Sequence, residues 1–236
     1  LRLSAGGYYY AWLDGKWLGQ GPAPAGEGCR YYQEYPVEGG RTVTVALLLC
    51  RRAEEDMGWC GGVERPALWA QFVRGGRVSA RCDEDWRCRL CRAWPEEGGF
   101  DSRLWSQGWE RPRFRDRGWA RMVPERRRHD RLLPQPAAGL ERERVEPVCS
   151  RLVPGGVLLD FGQVRTGTLH AAAQGRAGDC LTLRFGTELD ETGRAASGRE
   201  ERWILGEGES VLLQRGCRAF RYVEALGSGA GPALRE

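Results

Sequence analysis

Short strand-like segments separated by turn residues run along the whole chain, and this pattern limits the possible folds most. In an extended backbone, successive side chains point to opposite faces. Residues 180–186, CLTLRFG, show this alternation, since Leu and Phe residues occur at every second position. Apolar residues at the helical period of 3.6 are almost absent. The pattern predicts an all-β protein of sandwich or jelly-roll type, with under about a tenth of residues in helix.

Two hairpins are recognisable in the first part of the chain. Residues 8–18, YYYAWLDGKWL, place Asp14-Gly15 between two aromatic-rich strands, and this pair accepts the positive φ of a type I′ turn. Residues 67–81 form a second hairpin that turns at Gly75-Gly76. Between them, TVTVALLLC at residues 42–50 has the composition of a fully buried strand.

The composition changes between Pro124 and Pro147, where four prolines and many charged residues occur with little periodicity. Such a segment is typical of a linker. Strand-like segments resume at Gly156 and continue to Leu226. We therefore predict two β-sandwich, jelly-roll-like modules, residues 1–122 and 148–236, joined by a Pro/Arg-rich linker at residues 123–147.

The charge and hydropathy patterns exclude two kinds of partner. The formal net charge is only +4, and the cluster Arg126–Arg128 has no interleaved aromatic residues that would stack on bases. We interpret this cluster as part of a solvated linker, and we expect no nucleic-acid partner. No apolar run reaches the roughly 18 residues that a membrane-spanning helix needs, so we expect no membrane partner.

The nine cysteines have an odd count and no regular spacing, which favours reduced thiols in a cytoplasmic rather than a secreted protein. The strand-like pattern has already begun at Leu1, so we expect the amino terminus to be truncated. Cys82, Cys88 and Cys91 lack a fourth zinc ligand in the local sequence. We therefore predict no bound metal and no cofactor, and no motif supports a calcium loop.

Glycoside hydrolysis requires two carboxylates that face one sugar ring. Glu188 and Asp190 would share one side of an extended strand, but they lead into Asp-Glu-Thr-Gly, a sequence typical of a turn. We interpret this pair as part of the turn. His170 lies within an apolar strand segment and is interpreted as a packing or surface residue. No catalytic residue is predicted for this chain.

The Trp- and Gly-rich stretch between Trp94 and Trp109 is the candidate binding segment. Exposed indole rings pack against the C–H faces of sugars, while polar neighbours pair with the hydroxyl groups. In the alternative interpretation, these rings and Trp59 fill the gap between the modules. The predicted carbohydrate-binding residues are Trp94, Asp101, Arg103, Trp105, Gln107 and Trp109.

The first half of the chain resembles the amino-terminal β-module of bacterial α-L-rhamnosidases. That family has a Tyr-x-x-x-Asn-Gly-Lys-x-Val-Gly hairpin, an Asp-x-x-Trp turn and a Tyr-Asp-Ala-Arg stretch followed by Gly-Trp. The corresponding segments here are YYYAWLDGKWLG, CDEDWRC and FDSRLWSQGW. Asp14 replaces the usual asparagine, Phe100–Arg103 stand for Tyr-Asp-Ala-Arg, and Trp109 and Trp119 occupy the matching positions.

The second half resembles the concanavalin-like module that follows in the same family. Its Asp-Phe-Gly-Gln-Asn-x-x-Gly motif matches at Asp160–Gln163 and Gly167, although Val164 replaces the asparagine. Its Glu-x-Leu-Asp-x-x-Gly element is similar to residues 188–193, and its Phe-Arg-Tyr-Val-Glu strand matches Phe220–Glu224. The order of these motifs along the chain is the same as in the family.

This resemblance implies a parent glycoside hydrolase that releases terminal L-rhamnose with inversion, using carboxylates on an (α/α) barrel. That barrel would follow Glu236 and is not in this sequence, so no enzymatic activity is expected from this chain alone. The implied role is a non-catalytic accessory region that supports the parent's catalytic domain and contacts a rhamnose-containing glycan. The alternative is a free-standing carbohydrate-binding or surface adhesion protein.

Overall fold

The fold is taken from a computed structural model. It describes residues 1–26, 28–38, 42–50, 66–95, 98–124, 131–139, 141–196, 200–214 and 216–227, and the backbone of residues 233–235. Two features discussed above, Trp59 and the cluster Arg126–Arg128, lie outside these residues.

The described residues form β-strands and one 3-10 turn, Ser102–Leu104, with no α-helix among them, which confirms the all-β prediction. The strands are β1 (Arg2–Gly6), β2 (Tyr8–Leu13), β3 (Lys16–Gly21), β4 (Cys29–Glu34), β5 (Val45–Cys50), β6 (Ala67–Arg74), β7 (Arg77–Arg81), β8 (Arg87–Cys88), β9 (Phe100–Asp101), β10 (Ala120–Arg121), β11 (Arg131–Pro134), β12 (Cys149–Val153), β13 (Gly156–Gly167), β14 (His170–Gly175), β15 (Cys180–Gly186), β16 (Glu200–Ile204), β17 (Gly208–Leu213), β18 (Arg218–Gly227) and β19 (Ala233–Arg235).

Backbone contacts group the chain into two compact units. The first unit comprises Leu1–Arg89 and Gln107–Arg142, and the second comprises Leu90–Ser106 and Glu143–Glu236. The segment Leu90–Ser106, which the sequence placed in the first module, thus has its contacts with the second unit. The domain limits proposed from the sequence stay a prediction.

The first unit encloses its core between two sheets. The larger sheet has the strand order β11-β4-β1-β6-β7, and the smaller has the order β3-β2-β5. Leu3 on β1 and Ala70 on β6 meet Tyr9 and Ala11 on β2 in one buried cluster. Alternation along each strand directs these side chains inward.

Turn chemistry determines the two predicted hairpins of this unit, and both are confirmed. Asp14 and Gly15 have φ of 52° and 79° between β2 and β3, and Gly75 and Gly76 have φ of 56° and 76° between β6 and β7. Strand β5 is also present, but only Ala46 in it is fully buried. The prediction of a fully buried strand was therefore wrong, because the other five side chains of β5 are only partly buried.

The second unit has a six-stranded sheet, β12-β13-β18-β15-β16-β9, and a three-stranded sheet, β17-β14-β19. Its core is larger and includes Leu181 and Leu183 from β15, Trp203 from β16 and Leu212 from β17. The burial of β15 alternates as its sequence predicted. Fully burying an aromatic or Leu side chain contributes roughly 1.5–3 kcal/mol, so this cluster is the main stabilising feature of the unit.

Two short strands lie where local sequence gave no indication of them. β9 pairs in parallel with β16, joining Phe100 to Trp203. β11, inside the segment interpreted as a linker, pairs in parallel with β4, joining Leu133 to Tyr31. Parallel pairing joins segments that are far apart in the chain, so no nearby turn marks it.

Candidate functional site

The indoles of Trp94 and Trp105 pack against the core of the second unit. The ring of Trp94 lies 5.2 Å from that of Phe100 and 5.3 Å from that of Trp105. The Trp94 Nε1–H donates a 3.0 Å hydrogen bond to the carbonyl oxygen of Leu213. Both indoles are partly buried against the core cluster, so a large part of each ring is already used in packing.

Asp101 and Arg103 form an ion pair at the start of the 3-10 turn. Arg103 donates from Nε to Asp101 Oδ1 at 2.9 Å and from Nη2 to Oδ2 at 2.7 Å, and its backbone N–H caps the turn on Oδ1 at 3.0 Å. These bonds with Arg103 hold the pKa of Asp101 below its ordinary value, although burial opposes the shift. Both carboxylate oxygens are therefore already in use.

Gln107 and Trp109, the remaining predicted residues, belong to the first unit. Gln107 is exposed. The Trp109 ring meets Trp12 edge-on at 5.3 Å and lies beside Trp119 at 6.5 Å. The six predicted residues are thus divided between the two units, and carbohydrate binding by them stays a prediction.

A groove of about 420 Å³ in the first unit was not predicted from the sequence. Arg142 lies over the Trp17 ring, 3.6 Å from its centroid, and donates to Gln20 Oε1 at 2.8 and 3.2 Å. The groove is lined by Trp17, Leu18, Gly19, Gln20, Gln33, Tyr35, Gly139, Glu141 and Arg142.

A buried amide forms the floor of this groove. Gln33 is 7% exposed, and its Oε1 accepts hydrogen bonds from the hydroxyl groups of Tyr9 and Tyr35, the latter at 2.7 Å. Burial raises the pKa of both phenols, so they stay protonated and act as donors. No local motif could have revealed the groove, because its residues come from β3, from β4 and Tyr35 after it, and from Gly139, Glu141 and Arg142.

The acidic pair Glu188 and Asp190 lies at the turn that the sequence indicated. Asp190 Oδ1 accepts from the Thr192 hydroxyl at 2.7 Å and from the backbone N–H groups of Thr192 and Arg194, both at 2.9 Å. These bonds, that from the Thr192 hydroxyl above all, lower the pKa of Asp190. Its carboxylate organises the backbone of the turn, while Glu188 is exposed.

Two buried carboxylates of the second unit are paired with arginines. Glu224, fully buried on β18, accepts from Arg194 Nε at 2.8 Å, and Arg184 lies 3.7 Å from its second oxygen. Glu201, 4% exposed, pairs with Arg218 and accepts from the Trp203 indole at 3.1 Å. Such pairing is what allows a charged group to be buried, so both have a structural explanation.

Potential metal ligands are dispersed in the part of the chain that the structure describes. There, no three His, Cys, Asp or Glu side chains lie close enough together to hold a metal ion. Cys82 packs in the first unit, where its thiol accepts from the Ala70 N–H at 3.3 Å, whereas Cys91 packs against the core of the second unit. No helix within the described ranges is long and apolar enough to cross a membrane.

These features define a class of protein: paired all-β units, the second of which buries carboxylates that pair with arginines. Residues 150–233 match the family model of the bacterial alpha-L-rhamnosidase concanavalin-like domain. The resemblance to the β-modules of α-L-rhamnosidases is confirmed by this match and by the solved structures that are similar to the whole chain. No curated protein sequence matches the chain.

Three solved structures illustrate the similarity. The α-L-rhamnosidase of Streptomyces avermitilis, complexed with L-rhamnose, is 25% identical with a TM-score of 0.70, covering 98% of this chain and 26% of that protein. The enzyme of Dictyoglumus thermophilum is 19% identical with a TM-score of 0.68, covering 99% and 30%. The enzyme of Aspergillus terreus is 20% identical with a TM-score of 0.58, covering 97% and 30%. The chain therefore spans less than a third of the length of these relatives.

Proposed function

We propose that this chain is the non-catalytic accessory region of an α-L-rhamnosidase-like glycoside hydrolase. The observation that carries the proposal is the similarity of nearly the whole chain to about a quarter of the Streptomyces avermitilis α-L-rhamnosidase. The family match over residues 150–233 supports it independently. The carboxylates with the strongest pairing, such as Glu224 and Asp101, are held by arginines, which suits a supporting role better than proton transfer.

Within this proposal, the partners are the catalytic domain of the parent protein and a rhamnose-containing glycan. The glycan partner is supported by the L-rhamnose complex of the Streptomyces avermitilis relative. The proposed location is the cytoplasm, which is supported by the odd number of cysteines and their irregular spacing. Thiol titration of protein purified without reductant tests the location, since stable disulfides would contradict a reducing compartment.

The supporting role is tested on the protein encoded by the extended reading frame. We expect the frame to continue past Glu236 for several hundred residues with helical-hairpin periodicity. Removal of residues 1–236 from that product should lower its melting temperature and its soluble yield, because the barrel would lose the surface that covers it. A stop codon shortly after Glu236, together with glycan binding by the free chain, would favour the adhesion or carbohydrate-binding alternative instead.

A further inference from the structure

We propose that strand β12, at one edge of the six-stranded sheet, pairs antiparallel with the β12 of a second copy of this chain. Among the described strands, β12 is hydrogen-bonded to β13 alone. The backbone N–H and C=O groups along the outer side of an edge strand are a template for pairing with another chain. The inference concerns self-association and goes beyond the proposed accessory role.

Two apolar side chains at this edge are strongly exposed. Leu152 is 90% exposed, and Val148, directly before the strand, is 71% exposed. Val148 still belongs to the ladder, because its N–H donates to the carbonyl oxygen of Asp160 on β13 at 2.8 Å. Leu152 lies opposite Val157, which packs against the core cluster of the second unit. A further strand at this edge would therefore extend that core.

The charge that would normally protect such an edge is directed elsewhere. Edge strands are often kept from pairing by charged side chains, and Arg151 is the one charged residue in β12. Its guanidinium donates to the carbonyl oxygen of Gly193 in the same unit. By contrast β7, at the edge of the larger sheet of the first unit, begins and ends with the exposed residues Arg77 and Arg81.

A two-fold pairing centred on Ser150 fits these features. It places Leu152 of each copy opposite Val148 of the other, so that the exposed apolar side chains cover each other. It also places Arg151 opposite Cys149, a neutral residue. A pairing centred on Arg151 would set two like charges opposite each other, which is destabilising. A pairing centred on Leu152 would leave Val148 uncovered.

The length of the edge limits the strength of the dimer. Pro147 and Pro154 flank the segment, and proline has no N–H to donate to a ladder. Stable interfaces bury roughly 1,200–2,000 Å², and a single pair of short strands lies at the low end of that scale. We therefore expect a reversible dimer with a dissociation constant on the order of 100 µM.

The first test is sedimentation equilibrium of the full chain, in reductant, from about 5 to 500 µM, a range that brackets that constant. We expect a monomer–dimer equilibrium. Leu152→Glu should weaken it at least tenfold, because two carboxylates would replace apolar contacts at the edge. Val78→Glu is the matched control, since Val78 is an exposed apolar residue on β7, and it should leave the constant unchanged.

The second test measures the register. Opposite Cα atoms of an antiparallel pair are about 4.5–5.5 Å apart, which lies within the range that a disulfide spans. With Cys149→Ser present to remove the adjacent thiol, Ser150→Cys should give a dimer linked through residue 150 on mild oxidation. Ser79→Cys, in the middle of β7, should give no such link in the same background. Peptide mapping by mass spectrometry identifies the linked residues.

The outcomes separate this inference from the accessory role. A chain that stays monomeric up to about 500 µM, several times the expected constant, would overturn the inference and leave the accessory role untouched. A dimer that Leu152→Glu and Val78→Glu weaken equally would also overturn it. Loss of the dimer in Leu152→Glu alone, together with the link through residue 150, would support it.

Discussion

Asp101 accepts three hydrogen bonds at the point where the chain passes from β9 into the 3-10 turn, all of them from Arg103. Its side chain was chosen from the sequence as a partner for sugar hydroxyls. A sequence shows that an aspartate is present, but not that its neighbour two positions on folds back to neutralise it. Nor does the sequence show that the rings of Trp94 and Trp105 are partly buried against the core of the second unit.

Replacing Asp101 should reveal this structural role. We expect Asp101→Ala to lower the free energy of unfolding by about 1 kcal/mol or more at pH 7, since the cap alone is worth about that much. Asp101→Asn keeps a capping acceptor and should cost less. Glu188→Ala replaces an exposed side chain and should change the free energy of unfolding by no more than about 0.5 kcal/mol. Chemical denaturation measures all three variants.

The stabilisation that Asp101 contributes should decrease at acidic pH. Arg103 holds the pKa of Asp101 below its ordinary value in the folded protein. The stabilisation is therefore complete above the unfolded-state pKa of about 4 and is lost as the pH falls through the lower folded-state pKa. The difference between wild type and Asp101→Ala should narrow as the pH falls below about 4. A difference that grows on acidification would contradict the ion pair.

At the level of elements, local turn chemistry made some strands predictable and long-range pairing hid others. Asp14-Gly15 and Gly75-Gly76 mark their hairpins because positive φ is needed there. β9 and β11 are short and pair in parallel with distant strands, so nothing beside them in the sequence shows the pairing. The sequence did not reveal the groove of the first unit either, because its lining residues are far apart in the chain.

The pairing of β9 with β16 requires a glycine before it. Gly99 has φ of 97°, and a Cβ there would collide with the carbonyl oxygen of Arg202. We expect Gly99→Ala to lower the free energy of unfolding by more than about 1 kcal/mol, through backbone strain and displacement of the edge. Gly118→Ala, in open space, is the control and should stay within about 0.5 kcal/mol. Equal effects of the two variants in thermal denaturation would contradict this account of β9.

The assignment of Leu90–Ser106 to the second unit has its own test. Phe100 is fully buried in that core, so Phe100→Ala should destabilise it by about 3–5 kcal/mol. Hydrogen exchange should then accelerate in β15 and β16 while β1 and β6 keep their protection. Accelerated exchange in β1 and β6 instead would place the segment with the first unit, as the sequence suggested.

At the scale of the whole molecule, the order of family motifs carried more information than any single motif. Two motif-bearing strands, β13 and β18, lie in the central part of the six-stranded sheet, so each is hydrogen-bonded to a neighbouring strand on both sides. The first unit has fewer buried residues in its core, and its resemblance rests on turns. The chain covers only 26% and 30% of the length of two of these relatives, so their activity enters only as a proposal.

We propose that this chain is an accessory region without catalysis of its own, and an activity assay on the purified protein tests this proposal. The purified chain and the product of the extended reading frame are each incubated with 4-nitrophenyl α-L-rhamnoside, and release of nitrophenol is followed. We expect turnover by the extended product and none above background by the chain alone. Turnover by the chain that is lost in Glu188→Gln would contradict it, and would return the exposed carboxylates of residues 188–191 to consideration as a catalytic pair.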